Sequence, residues 1–285
     1  MRLLLCLGLP LMGTGDERLS HRLPARLITW CSHFACPRPQ IDGKELAYMP
    51  PDAGSEIHVT RETVELGRWE RDRLGEFLVP IDSGLIQHVA AHLLRADIPV
   101  LVDVGANVGA FALLVTQIAF LSVYSFEPSS VFRILEANVG LNNGRFKEHS
   151  RLKLYNVAIS NATAEKMLCD GGASSYSVNS YLTSKTQTCA DTFTAVRTKT
   201  VSLDDWSTGV ALSHIDVLKV DAEGHDLSVI AGALRLIDRF HPVIVIEAIG
   251  ADADLLLRGL GYIPLAFISP KPDGSGDTVW VWRMG

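Results

Sequence analysis

The sequence predicts an α/β fold in which helices cover both faces of a mostly parallel sheet and an antiparallel hairpin closes one edge. From residue 99 onward, short apolar runs alternate with segments whose apolar residues recur at helical spacing. This alternation is typical of strand–helix–strand units. Three of the runs are almost continuously hydrophobic, as parallel strands buried on both faces require. The C-terminal end holds two further strand patterns around a turn-rich loop, which predicts the hairpin.

Five apolar runs are predicted to form the parallel strands. In chain order they are Val100–Val104, Leu121–Phe126, Leu152–Ile159, Asp216–Asp221 and Pro242–Glu247. The hairpin is predicted over Tyr262–Ile268 and Thr278–Met284. These seven segments account for the whole predicted sheet.

Apolar residues at i, i+3 and i+7 predict two sheet-facing helical stripes. The first consists of Phe132, Leu135 and Val139. The second consists of Leu227, Ile230, Leu234 and Ile237. Such stripes are typical of helices that pack on a sheet, so we interpret both as core.

The chain is expected to have three parts. Residues 1–45 form a variable N-terminal segment, and residues 46–98 form an extension that packs on the core domain of residues 99–285. The core domain contains an insertion at about 160–200, where a connection rich in Ser, Thr and Gly is far longer than usual.

Two short strands and one helix are predicted within the N-terminal extension. The strands are Gly43–Met49 and Ser55–Thr60, and the helix is Ser83–Leu94 with Ser83 as its cap.

Composition excludes several classes of function. The chain has a formal net charge of −6 and no long basic run, which disfavours a nucleic-acid partner. The five cysteines form no CxxC pair, so we expect neither a disulfide framework nor a zinc site, and no metal. Cys31, His33 and Cys36 supply only three ligands and are interpreted as a chance cluster. A reducing, cytoplasmic location is the resulting expectation.

The N-terminal apolar segment Leu3–Gly13 resembles a weak export signal, but it has one preceding positive charge, an internal proline and no clean cleavage site. The segment is too short to span a bilayer, so no integral membrane span is expected. A helix that packs on the domain is favoured, with export as the alternative. If it is exposed, this segment is also a candidate contact for a homodimer.

The stretch Val100–Phe111 joins a strand, an acid, a glycine turn and the start of a helix. In doubly wound sheets, ligands bind at the carboxyl ends of strands where the strand order reverses. A dinucleotide site needs a glycine at the middle position of GxGxxG, where this chain has Asn107. Asp103, just before the turn, would repel a phosphate and attract a cation. The predicted ligand is therefore a phosphate-free nucleoside with positive charge.

A second acid supports this ligand. Glu127 follows the second strand, about 20 residues beyond the glycine turn, where an acid binds both ribose hydroxyls. S-adenosylmethionine fits, because it carries an ammonium, a sulfonium and a ribose but no phosphate. In the structural alternative Glu127 only caps the following helix. A NAD-dependent oxidoreductase remains an alternative, although Asn107 and the hairpin disfavour it. A non-catalytic adenosylmethionine-binding protein is a third hypothesis.

Seven motifs occur in the order typical of one known family. They are DVGANVG, FEP, NVAIS, ASS, SLDDW, LKVDAEGHDLSVIAGA and VIVIEAI. In these motifs the chain resembles the FkbM family of S-adenosylmethionine-dependent methyltransferases from about Gly67 to Glu247. KVDAEG is the most specific element. The resemblance implies a Rossmann-like class I methyltransferase fold with a seven-stranded sheet, and O-methylation of a hydroxyl on a small metabolite or sugar.

The same resemblance assigns roles to individual residues. It assigns four residues to the turn that binds the cofactor: Asp103, Gly105, Asn107 and Gly109. It assigns Glu127 to contact with the ribose, and Ala158 and Ile159 to the surroundings of the adenine. Asp221 and Glu223 in KVDAEG would face the reaction centre. Asp221 ends the fourth strand and is the first candidate for the general base, with Glu223 and His225 as alternatives.

Four further residues are candidates for contact with the acceptor, a small molecule or glycan. Lys219 lies in a buried strand pattern and needs an acidic partner, for which Glu247 or Asp221 could serve. A purely structural ion pair is the alternative. Ser174 and Ser175, in the long insertion, could reach over the site, or could belong to a flexible linker.

Overall fold

A computed structural model gives the fold of the core domain. It describes residues 40–42, 45–48, 57–60, 89, 93, 98–118, 121–143, 151–172, 180–183, 188–247, 250–268 and 276–283. Val89 and Leu93 are helical and buried, consistent with the helix predicted over 83–94. The N-terminal apolar segment, the cluster at residues 31–36, and Ser174 and Ser175 lie outside the described residues.

The described elements follow in chain order. The strands are β1 Gln40–Asp42, β2 Glu45–Tyr48, β3 Ile57–Thr60, β4 Val100–Val104, β5 Ser122–Phe126, β6 Arg151–Tyr155, β7 Ala158–Ile159, β8 Ala164–Asp170, β9 Tyr181–Leu182, β10 Thr194–Val201, β11 Val217–Val220, β12 Val243–Glu247, β13 Tyr262–Ile268 and β14 Asp277–Trp282. The helices are α1 Ala110–Ile118, α2 Phe132–Asn142, α3 Leu203–Gly209, α4 Asp226–Ala231, α5 Leu234–Phe240 and α6 Ala251–Gly259.

A seven-stranded sheet forms the centre of the fold, in the order β13-β14-β12-β11-β4-β5-β6. The five strands from β12 to β6 are parallel, whereas β14 pairs antiparallel with both β12 and β13. The predicted Rossmann-like class I fold with its C-terminal hairpin is thus confirmed. The chain moves from β4 outward to β6 and later returns to β11 on the other side of β4. The carboxyl ends of β4 and β11 therefore border the reversal point, where ligands bind in such sheets.

The two strands at this reversal point are fully buried. Every residue of β4 and β11 is buried, and apolar side chains of both strands pack into the main hydrophobic core. Strands covered on both faces need such continuous apolar runs. Burial thus explains why β4 has the bounds predicted from the sequence.

The third predicted strand is wrong in its second half. The sheet strand β6 ends at Tyr155, and Ala158–Ile159 forms β7 in a different, four-stranded sheet of order β7-β10-β8-β9. At the break, the Nδ2 of Asn156 donates a hydrogen bond to the backbone carbonyl of Glu127, 2.9 Å away. The pairing of β6 with β5 ends one residue earlier, at Phe126↔Tyr155, so a side-chain bond takes the place of the next ladder contact.

The region predicted as an insertion at about 160–200 contains most of this second sheet. Residues of β8 pair antiparallel with β10 from Ala164↔Thr200 to Asp170↔Thr194. The described part of the region is therefore a sheet that extends from the core domain, not a simple loop. We call it the inserted sheet.

One disulfide corrects the prediction drawn from the cysteines. Cys169, at the end of β8, is bonded to Cys189, and their Cα atoms are 5.4 Å apart. The sequence offered no signal for this pair, because the two cysteines are 20 residues apart and form no recognisable motif. The expectation of a reducing compartment rested on the absence of such a bond, so that argument no longer holds.

Both predicted helical stripes are only partly correct. In α2 the buried residues include Ile134, Leu135 and Asn138, whereas Phe132 is only half-buried. The second stripe spans two short helices, α4 and α5. Its members Leu227 and Leu234 are 41% and 36% exposed.

The helix break between α4 and α5 has a local cause. A Cβ atom at Gly232 would overlap the backbone carbonyl of Ser160, so the chain passes too close to the NVAIS segment for a larger residue. The predicted stripe is therefore divided between two helices, α4 and α5, that end and begin on either side of Gly232. Across the part of the chain with described coordinates, no helix is long and apolar enough to cross a membrane.

Candidate active site

The glycine turn after β4 is held tightly between two neighbouring segments. The backbone N–H groups of Gly105 and Ala106 both donate to the carbonyl of Phe126, at 3.0 and 2.9 Å. Gly105 has a φ of +77°, and a Cβ atom there would overlap the backbone carbonyl of Asp221. Only glycine satisfies both the backbone angle and the close approach.

Asn107 links this turn to the second strand. Its φ is +50°, a left-handed conformation that Asn tolerates better than most residues, and its N–H donates to Oε2 of Glu127 at 2.9 Å. The Oδ1 atom of Asn107 is buried and makes no hydrogen bond with any described residue. Gly109, with a φ of +86°, lets the start of α1 pack closely on Leu135.

Glu127 is a buried carboxylate at the carboxyl end of β5. It is 6% exposed, and its two oxygens accept backbone hydrogen bonds from Asn107 and Ser129, each 2.9 Å long. Burial raises the pKa of Glu127, although these hydrogen bonds oppose the shift. A carboxylate has about four lone-pair sites, so roughly two remain for a ligand.

A buried ion cluster lies beneath the turn. The ammonium of Lys219 is 3.1 Å from Oδ2 of Asp221 and 3.6 Å from Oδ1 of Asp103. Burial alone would lower the pKa of Lys219, but the carboxylates of Asp221 and Asp103 outweigh it and raise the pKa. Burial raises the pKa of Asp103, with Lys219 acting in the opposite direction.

The cluster identifies the acidic residues that form ion pairs with Lys219. Asp221 is one of the two partners proposed from the sequence, and Asp103 is a second partner that the sequence did not indicate. The prediction for Asp103 was a direct contact with a cationic ligand, whereas its carboxylate is fully buried and faces Lys219.

An open cleft with about 610 Å³ of empty space lies at the reversal point of the sheet. The site residues predicted from the sequence that line it are Gly105, Asn107, Glu127, Ala158, Ile159, Asp221, Glu223 and His225. Three loops and the short strand β7 thus contribute residues to a single cleft.

The other predicted site residues lie beside the cleft or outside the described structure. Asp103 and Lys219 are packed beneath it, and Gly109 lies at the start of α1. Glu247 lies at the end of β12, opposite Asp277 in the hairpin. Within the described residues, no three His, Cys, Asp or Glu side chains are grouped to hold a metal ion.

The loop after β11 presents Asp221, Glu223 and His225 on a tight bend. Glu223 has a φ of +50° and Gly224 a φ of +81°, and the N–H of Ala222 donates to Oδ1 of Asp226 at 3.1 Å. A left-handed conformation costs a non-glycine residue roughly 1–2 kcal/mol. Such strain is often found at functional sites, where the surrounding structure holds it in place.

The sequence analysis expected the insertion to reach the site through Ser174 and Ser175, but it did not identify the residues of this region that line the cleft. Leu168, Ser180 and Leu182 from this sheet line the cleft opposite the glycine turn. Asp170 fixes the sheet to the core, because its Oδ2 accepts the backbone N–H of Ser130 at 2.9 Å. The Asp-Gly-Gly motif that begins at Asp170 indicates a turn, but nothing local indicates a partner 40 residues earlier.

Comparison with known proteins supplies the family. The model of the methyltransferase FkbM domain matches residues 103–264, which is more than half of the chain. No curated protein matches the chain significantly.

Several solved structures are similar at low sequence identity. A methyltransferase FkbM from Methylobacillus flagellatus KT has a TM-score of 0.46 and 20% identity, covering 65% of this chain. The matched part is 44% of that protein, so this chain spans less than half of its length. A precorrin-6y C5,15-methyltransferase from Geobacter metallireducens GS-15 has a TM-score of 0.42 and 12% identity, with 73% of this chain and 91% of that chain covered.

The N-terminal domain of human METTL16, in complex with SAH, has a TM-score of 0.45 and 13% identity, with 78% of this chain and 82% of that chain covered. The match of the domain model is the finding that decides the family. The protein therefore belongs to the FkbM family of methyltransferases, whose methyl donor is S-adenosylmethionine.

Proposed function

We propose that the protein methylates a hydroxyl oxygen of a small metabolite or sugar. The position of Asp221 carries this proposal: its carboxylate lines the cleft directly beside the glycine turn and is held by Lys219 at 3.1 Å. The cofactor, when bound, supplies an electrophilic methyl group. A hydroxyl nucleophile must also lose a proton, and a carboxylate at this position can accept it.

The cleft fits the cofactor in three respects. Gly105 lines the cleft and has no side chain, so a nucleoside ligand could approach its backbone closely. Glu127 retains about two lone pairs for ribose hydroxyls, and the buried Oδ1 of Asn107 needs a hydrogen-bond donor. Ala158 and Ile159 would provide an apolar surface for adenine.

The ion cluster beneath the cleft would hold the base in position. Lys219 contacts Asp221 on one side and Asp103 on the other, so the Asp221 carboxylate is fixed from below while it still lines the cleft. Glu223 is the alternative base, but it is exposed on the bend of the loop. A positioned base contributes roughly 10²–10⁴-fold to such a reaction.

The charge of the cleft favours an uncharged acceptor. The described lining residues include the acids Glu127, Asp221 and Glu223, and His225 is the sole basic side chain among them. Acidic walls disfavour a phosphorylated or carboxylated acceptor through charge repulsion. Together with the net charge of −6, they also disfavour a nucleic-acid substrate. Ser174, Ser175 and Glu247 remain candidates for contact with the acceptor.

The disulfide bears on where the protein works. Disulfides persist mainly in oxidising compartments, so the bond between Cys169 and Cys189 favours export over the cytoplasmic location expected from the sequence. Mass analysis of the protein purified under conditions that trap thiols would show the bond. Free thiols in protein from its native source would instead favour the cytoplasm.

The test is a screen of the full chain with methyl-labelled S-adenosylmethionine against hydroxylated metabolites and sugars, with mass analysis of the products. Asp221→Asn is expected to lose about 10²–10⁴-fold in turnover and to keep its affinity for S-adenosylhomocysteine. The matched control is Asp252→Asn, which replaces an exposed acid on α6.

Each outcome of the screen has a defined meaning. Unchanged turnover in Asp221→Asn would remove Asp221 as the base. Methylation of amines with no hydroxyl acceptor would overturn the O-methylation proposal. Tight binding of the cofactor with no turnover on any acceptor would favour the non-catalytic alternative.

A further inference from the structure

A hydrogen-bonded chain connects the inserted sheet to the cleft. The Nζ of Lys166, on β8, donates to Oγ of Ser160 at 2.7 Å, and the same Oγ is 2.9 Å from Nε2 of His225. Ser160 is completely buried, and His225 lines the cleft. We call these three residues the Lys–Ser–His chain. Its members come from three segments, with Ser160 and His225 separated by 65 residues.

Proton counting fixes the direction of the bond from Lys166 and leaves two arrangements for the hydrogen of Ser160. A Lys ammonium only donates, so Ser160 Oγ accepts from Lys166 and has one hydrogen left to donate. The two available acceptors are His225 Nε2 at 2.9 Å and Asn161 Oδ1 at 3.3 Å. Donation to the shorter contact leaves Nε2 unprotonated and places the ring proton on Nδ1. Donation to Asn161 would instead let an Nε2–H donate to Ser160, so the tautomer of His225 distinguishes the two arrangements.

The charges around His225 agree with a neutral ring. The Lys166 ammonium from β8 is the charged group that acts on this ring, while Asp221 and Glu223 lie in the same loop and Asp226 lies at the start of α4. Burial, together with the positive charge of Lys166, lowers the pKa of His225 to about 4. A cationic imidazole beside the ammonium would be repelled.

We propose that Lys166 and Ser160 hold His225 as a neutral imidazole protonated on Nδ1, and that this N–H donates to the oxygen of the methyl acceptor. The second half rests on the proposed function, whereas the first half concerns the protein alone. Asp221 then takes the proton of the acceptor while His225 orients it, so the two residues have different roles. His225, an alternative base on sequence grounds, becomes a donor, because its only basic nitrogen is occupied by Ser160.

This assignment also gives the inserted sheet a role. Lys166 does not line the cleft, yet it acts on the cleft through Ser160, which makes it a positioning residue. Its ammonium is partly buried, and burial lowers its pKa as well. The side chain thus gives up some of its hydration to make this contact, as expected for a residue with a defined partner.

The first test is NMR of the full chain with ¹⁵N-labelled histidine, which needs neither cofactor nor acceptor. The chain has nine histidines, and the signals missing in His225→Gln identify this ring. Long-range ¹H–¹⁵N spectra distinguish the two tautomers. We expect a neutral Nδ1–H ring near pH 7, with a titration midpoint of about 4.

Two variants separate the roles in the chain. Lys166→Met should move the midpoint of His225 upward, toward its ordinary value of 6.5, since the repelling charge is gone. Ser160→Ala should mix the two tautomers. The control is Lys199→Met, an exposed lysine on the same sheet, for which no change is expected. An Nε2–H tautomer, a cationic ring at pH 7, or an unmoved midpoint in Lys166→Met would overturn the inference.

A second measurement tests the contact with the acceptor once the screen has found one. His225→Ala should raise KM for the acceptor and leave the affinity for S-adenosylhomocysteine unchanged, and His225→Asn, which keeps a donor, should recover part of the loss. Weaker S-adenosylhomocysteine binding in His225→Ala would assign the ring to the cofactor and refute the acceptor contact. Failure of the screen itself would count against methyl transfer, while the NMR result would still stand.

Discussion

Replacement of Lys219 by methionine should destabilise the protein more than replacement of Asp103 by asparagine. Lys219 is 7% exposed, and Asp103, which is fully buried, faces its ammonium at 3.6 Å. Removing one partner of a buried ion pair costs about 3–5 kcal/mol, because the other charge remains buried. The free energy of unfolding of Lys219→Met should fall by about this amount at pH 7.

Replacement of Asp103 by asparagine should lower the free energy of unfolding by less than replacement of Lys219 does. Asp103→Asn leaves Lys219 with Asp221 at 3.1 Å, so the ammonium keeps a charged partner. In Lys219→Met the carboxylate of Asp103 has no comparable substitute, because neither of its oxygens makes a hydrogen bond to a described residue. The order of the two losses therefore tests the geometry of the cluster.

The deficit of Lys219→Met should depend on pH. Burial raises the pKa of Asp103 above its ordinary value of 3.8, so its contribution to stability is lost as pH rises through the folded-state pKa. Without the Lys219 ammonium, which opposes this shift, the folded-state pKa of Asp103 rises further and the loss extends to higher pH. Lys219→Met should thus be less destabilised at pH 5 than at pH 8.

Urea unfolding, followed by circular dichroism at both pH values, measures these differences. Lys199→Met, which removes an exposed lysine from β10, is the control and should change stability by less than about 0.5 kcal/mol. A loss under about 1 kcal/mol in Lys219→Met would refute the buried-pair reasoning. A larger loss in Asp103→Asn than in Lys219→Met would refute the proposed asymmetry.

Three further predictions concern the turn, the disulfide and the ribose acid. Gly105→Ala should lose S-adenosylhomocysteine binding in calorimetry, since its φ of +77° and the carbonyl of Asp221 exclude a methyl group, whereas Gly209→Ala, with open space around its Cβ, should bind normally. Reduction of Cys169–Cys189 should lower the free energy of unfolding by about 3 kcal/mol, as expected for a loop of this length; an unchanged urea midpoint after reduction would contradict this. Glu127→Gln should bind S-adenosylhomocysteine more weakly, because an NH₂ group replaces one of the two oxygens that accept hydrogen bonds at this position, and equal affinity would argue against ribose binding at Glu127.

Local patterns predicted those parts of the fold that local forces determine. Continuous apolar runs located β4 and β12, because strands buried on both faces need them. The acids at the ends of strands, Glu127 and Asp221, were found from their order along the chain, and the parallel sheet brings them to one edge. These are consequences of topology that a sequence can indicate.

Contacts between distant residues could not be predicted in this way. The bond from Ser130 to Asp170 spans 40 residues, and the disulfide depends on the pairing of β8 with β9 and β10. The pairing of Asp103 with Lys219 arises from the register of β4 and β11, in which the two residues are direct neighbours. Single-sequence periodicity contains no information on register, so Asp103 was expected to face a ligand.

A crystal structure of the full chain with S-adenosylhomocysteine tests the assignment of the cleft most directly. The ribose hydroxyls are expected within hydrogen-bond distance of the Glu127 carboxylate, with the adenine against Ala158 and Ile159 and the sulfur on the side of Asp221. The ligand bound elsewhere on the folded protein, or oriented with its adenine at Asp221, would contradict it.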